Sequence, residues 1–171
     1  VSHYIHDNGA LAKFDISNNS LCAEGTKAIA EALTDNQTMT VLNISSNNMD
    51  LIPGVKQGEI SGIIAISNAI PTMRALTSLN ISANHIGQLV LPEGWSEKYG
   101  NAATFGYKHS DGREQMEAPE GSKAEGVIAL ADAIKNSGAM TKLNIGHNHN
   151  MGEEDLHLIT ELCNTKGIEL F

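Results

Sequence analysis

Four polar side chains crowd one short stretch, "YKHSDGREQ": His109, Asp111, Arg113 and Glu114. An imidazole among carboxylates is the material of acid–base chemistry. No nucleophile with an orienting partner accompanies it, however, and alternating polar residues about a tight turn generate such sets without a function. No enzyme activity is expected. A second set is His85, His147 and His149. His85 and His149 stand at equivalent places in two copies of a repeated motif, and imidazoles on strands ~4.8 Å apart could converge on a metal ion. A polar ladder beside a turn accounts for the same spacing, so neither metal nor cofactor is assigned. No glycine-rich phosphate loop is present. The remaining candidates are large and aromatic. Trp95, Tyr99, Phe105 and Tyr107, with His109 and Arg113 beside them, are residue types common at protein contacts.

Bulk properties narrow the classes further. The 171 residues suffice for one domain with a core, and 41% are hydrophobic. No apolar run reaches the ~18–20 residues of a membrane span, and no signal peptide opens the chain. The net charge of −9, from 20 acidic and 11 basic residues, argues against nucleic acid, whose phosphates demand a basic face. The two cysteines, Cys22 and Cys163, fall three motif copies apart and are expected to be free thiols. Free thiols favour an intracellular, cytoplasmic setting.

The elements that position these residues come from internal repetition. The pattern L-x-x-L-x-L-x-x-N occurs four times, ending at Asn19, Asn47, Asn84 and Asn148. Each copy is followed by a helix-like segment: "AEGTKAIAEAL", "ISGIIAISNAI", "AEGVIALADAI" and "EEDLHLITELC". Alternation at Leu42-x-Ile44 suits a short strand with one buried face, and apolar residues four apart, such as Ile29 and Leu33, suit a helix. Four strands are therefore expected around Phe14, Leu42, Leu79 and Leu143. The asparagine column should satisfy backbone groups where each strand turns into its loop.

These copies resemble the leucine-rich repeat family, in its long-repeat, ribonuclease-inhibitor-like subclass. The resemblance covers about four-fifths of the chain. It implies an α/β fold forming a curved solenoid, with a parallel sheet on the concave side and helices on the convex side, as one domain over 1–171. Both ends lack a polar cap: Tyr4-Ile5 matches the tail of an earlier helix, and "GIELF" opens a further strand. The chain is thus expected to belong to a longer array or to dock other protein at an end.

The array is interrupted twice. From Leu11 to Met39 is 28 residues; from Met39 to Leu76 is 28 plus nine, and from Leu76 to Met140 is 28 plus 36. Both extras fall between strand and helix, near 50–59 and 88–123, and project from one edge. The longer one holds four of the seven aromatics and a hairpin signal at Asp111-Gly112. Its aromatics can fold back as a small core, touch a partner, or both. The predicted concave face, by contrast, is small and polar. These features point to a non-catalytic interaction module or scaffold that binds a protein partner through the strand-to-helix insertions. Two alternatives are a permanent structural subunit of a multi-protein complex and a regulatory module acting on a nucleotide-binding protein such as a GTPase.

Overall fold

A computed structural model describes residues 10–49, 60–98, 106–116, 118–148 and 151–171. Within it, four short strands, β1 (Lys13–Asp15), β2 (Val41–Asn43), β3 (Ser78–Asn80) and β7 (Lys142–Asn144), line up in chain order and are joined by β8 (Glu169–Leu170). All neighbours in this sheet are parallel, with Phe14, Leu42, Leu79 and Leu143 in one register row. Parallel neighbours require a crossover, and each crossover carries a helix. The helices are α1 (Cys22–Leu33), α2 (Ser61–Ala69, continued by one 3-10 turn at Ile70–Thr72), α3 (Glu125–Asn136) and α4 (Glu153–Lys166).

The core lies between this sheet and the helices. Leu42, Leu79 and Leu143 of the strands pack with Leu33, Ile66, Leu130 and Ile159 of the helices, all of them buried. Each such side chain contributes roughly 1.5–3 kcal/mol relative to exposure. Residues on either side of the central Phe14, Leu42, Leu79 and Leu143 face away from the core, so Asp15, Asn43, Asn80 and Asn144 form a polar row on the open face of the sheet. Each of them accepts a hydrogen bond from the backbone N–H two residues on, at 3.0–3.2 Å.

Past each strand the chain makes one repeated bend. Asn47, Asn84 and Asn148 are buried within it, and their amides form a continuous column. The backbone N–H of Asn19 donates to Oδ1 of Asn47 at 2.9 Å, that of Asn47 to Asn84 at 2.8 Å, and that of Asn84 to Asn148 at 2.7 Å. Each Nδ2 donates in turn to carbonyls of its own bend and of the preceding one. The buried amides of the column thereby have hydrogen-bond partners, which is the condition for burying them. The column is flanked by residues in the left-handed region. Asn18, Ser46, Ala83 and His147 precede it with φ of 54–58°, and Ser20, Asn48 and His85 follow it with φ of 49–61°.

The expected curved solenoid with a single parallel sheet is corrected by this architecture. The fold is mixed α/β with two sheets, because a separate antiparallel sheet, β4 (Trp95–Lys98), β5 (Gly106–His109) and β6 (Glu114–Gln115), stands between β3 and α3. The segment that interrupts the repeats supplies its own strand pairing and does not join the parallel ladder. The expected segment at 50–59 and the helix tail at Tyr4-Ile5 lie outside the described residues. The strand expected from "GIELF" is β8, paired with β7.

Candidate functional site

The antiparallel sheet begins at a closed neck. Val90 and Lys123 form an isolated antiparallel bridge, with Val90 N–H donating to the Lys123 carbonyl at 2.8 Å and the reverse bond at 3.1 Å. The described residues between them stand outside the parallel sheet.

Beyond the neck, β5 and β6 are joined by the four residues 110–113. The Gly112 N–H donates to the His109 carbonyl at 3.0 Å, and the His109 N–H donates to the Arg113 carbonyl at 2.8 Å. Gly112 takes φ +95° while Asp111 does not enter the left-handed region, so the turn is a tight one followed by a glycine bulge. On its other edge β5 pairs with β4, with Trp95 opposite His109 and Ser96 opposite Lys108. Opposite residues share a face, and the two rings meet edge to face with centroids 5.2 Å apart at 63°. Gly94 makes room for this contact. It takes φ +84°, and a Cβ there would lie 2.6 Å from His109 Nε2.

Arg113 completes the cluster. Its guanidinium carbon lies 5.6 Å from the Trp95 ring centroid, within cation–π range. Its Nε donates to Asp111 Oδ2 at 2.8 Å, and its backbone N–H donates to Oδ1 at 3.1 Å. His109 Nδ1 sits 2.9 Å from Asp111 Oδ1 and also 3.2 Å from the Asp111 N–H. An Nδ1 without a proton accepts from that N–H; an Nδ1 that carries one donates to the carboxylate. The Arg113 backbone N–H is the main cause holding the Asp111 carboxyl below its ordinary range, with His109 and the guanidinium adding to it.

The expected contact residues thus separate. Trp95, His109 and Arg113 are brought together, the first two half-buried and Arg113 exposed. Tyr107, expected at a partner contact, is 7% exposed. Tyr99 and Phe105 lie outside the described residues. Asp111, which the partner-binding expectation omitted, proves to be the hub, and the D-G turn signal pointed to its position. Met116, at the end of β6, is 68% exposed and was not singled out from the sequence either.

The histidine set lies elsewhere. His85 and His147 occupy the left-handed positions beside the asparagine column, and histidine tolerates that conformation better than most residues. His149 lies outside the described residues, and among those described no three His, Cys, Asp or Glu side chains gather as metal ligands. The thiols of Cys22 and Cys163 are free.

No family model matches the chain, and no curated protein matches it. Among solved structures it is similar to one described as "Leiomodin-1 Actin-Binding Site 2 (ABS2)", with a TM-score of 0.62. The two are 15% identical, over 99% of this chain and 75% of that one. At this identity the likeness shows the fold alone. No helix among the described residues is long and apolar enough to cross a membrane.

Proposed function

We propose that the chain is a non-catalytic protein-interaction module whose contact surface is the antiparallel sheet β4–β6. The observation that carries this reading is the Trp95–His109–Arg113 cluster. Tryptophan and arginine are the residue types most enriched at binding hot spots, and here they are stacked on each other on a small sheet separate from the parallel one. The open face of the parallel sheet offers no comparable anchor, since its polar row of Asp15, Asn43, Asn80 and Asn144 is engaged in local hydrogen bonds. A net charge of −9 favours a protein partner over nucleic acid. The leiomodin-1 structure is titled as an actin-binding site, which makes actin the first protein to assay by co-sedimentation. Membership of the leucine-rich repeat family stays part of the same proposal and rests on the four sequence copies.

A second reading, a permanent subunit of a larger assembly, is favoured by a different surface. Leu156, Leu158 and Phe171 are 49%, 42% and 57% exposed, and Leu156 and Phe171 border a groove of about 380 Å³. Exposed apolar groups sharing a groove, as Leu156 and Phe171 do, mark contact surfaces.

Capture from the native source separates the surfaces. Trp95→Ala with Arg113→Gln is expected to lose the partner while the far-ultraviolet circular dichroism stays that of the parent. Loss of capture on Asn43→Asp with Asn80→Asp and Asn144→Asp, with the first pair silent, would assign binding to the open face of the parallel sheet.

A further inference from the structure

Resting on the interaction surface just proposed, we infer that Arg113 is an anchoring fork for a carboxylate side chain of the partner, with Trp95 as the platform beside it. Two contacts fix the guanidinium before any partner arrives, Nε to Asp111 Oδ2 at 2.8 Å and the carbon 5.6 Å from the Trp95 ring centroid, and the Arg113 backbone N–H holds Asp111 in place through Oδ1 at 3.1 Å. The side chain is nonetheless 65% exposed. Among the described residues only its Nε and its backbone are engaged, so the edge formed by the two terminal nitrogens is available. That edge carries two parallel N–H groups at the spacing of the two oxygens of a carboxylate. A side chain ordered in advance loses less freedom on binding, which is how a single exposed arginine becomes an anchor.

The chemistry favours carboxylate over phosphate. Asp111 lies against the guanidinium and would repel a dianion more strongly than a monoanion. On the neighbouring strand, Lys108 alternates with His109 along β5 and belongs to the opposite face, so it does not gather with Arg113. Glutamate fits better than aspartate, because its longer stem can lie on the half-buried Trp95 ring while its carboxylate reaches the fork. The chain's net charge of −9 makes the long-range field unfavourable to an acidic partner. Recognition is therefore local, and screening by salt helps the encounter.

Trp95 is the only tryptophan, so its emission reports this site directly. The intact chain is titrated with acetyl-Ala-Glu-Ala-amide, with its glutamine counterpart and with inorganic phosphate, and the Arg113 Nε–H resonance is followed in parallel. The glutamate peptide is expected to saturate both signals and to bind at least about fivefold more tightly than the other two. Arg113→Lys, which keeps the charge but removes the fork, should weaken it by about the same factor. Equal response to the glutamine peptide, tighter response to phosphate, or full binding by Arg113→Lys would overturn the inference. Those results would leave the proposed surface standing if capture still depended on β4–β6; loss of that dependence would instead remove the surface itself.

Discussion

Val90 and Lys123 face each other as a hydrogen-bonded pair and close the neck of the antiparallel sheet with two backbone bonds, of 2.8 and 3.1 Å. A two-residue turn of the Asn-Gly kind closes a pair of this geometry. Replacing residues 91–122 by Asn-Gly is therefore expected to leave the parallel sheet folded. Far-ultraviolet circular dichroism and a cooperative melt close to that of the parent would show it. Collapse of the melt would mean that β4–β6 also braces the core.

The asparagine column sets a second expectation. Asn84 accepts the Asn47 N–H at 2.8 Å and donates to the carbonyls of Ile44 and Ile81, all in a bend closed to water. Asn84→Ala strands those partners, and each buried unsatisfied group costs about 1–3 kcal/mol. Urea unfolding should report a loss of roughly 2–5 kcal/mol, large for a single polar residue. A change below about 1 kcal/mol would mean that water replaces the amide.

Much of this framework is legible in the sequence because it is periodic. Leu42, Leu79 and Leu143 recur with their asparagines at fixed offsets, and a two-residue period followed by a helical one has few alternative structures. The second sheet is less legible. The hairpin at Asp111-Gly112 announces itself by turn chemistry, but Trp95-Ser96-Glu97-Lys98 shows no apolar alternation, and nothing local says that Trp95 will stand opposite His109. That pairing is a consequence of non-local register. The left-handed backbone at Ala83 is equally silent, since alanine does not favour it and only the bend around Asn84 imposes it.

The two thiols should differ in reach. Cys163 is fully buried among the α4 core residues, and burial pushes its thiol pKa up; Cys22, at the start of α1, is partly exposed. A thiol reagent is expected to label Cys22 in the native protein and both cysteines after unfolding without reductant. Labelling of neither in the unfolded chain would reveal a disulfide.

Asp111 gives the antiparallel sheet an acid dependence of known sign. Its carboxyl is held below the ordinary value chiefly by the Arg113 backbone N–H, so the ionised form is favoured when the sheet is folded. That contribution is fully present above the ordinary value of about 3.9 and disappears as pH falls through the lowered one. Trp95 emission should show a step below about pH 4 on this account. In Asp111→Asn this low-pH step should be missing. A step of the same size in both proteins would assign it to other groups.

The central claim, that β4–β6 is the contact surface, is tested most directly by site-specific photocrosslinking. A photoreactive amino acid is placed at Met116, which is exposed and directly follows β6, and separately at Asn80 on the open face of the parallel sheet and at Ile128 on α3. Irradiation in the native source is expected to yield one specific adduct from position 116, absent when Trp95→Ala and Arg113→Gln are combined in the same chain. A specific adduct from position 80 or 128, with none from 116, would contradict the account.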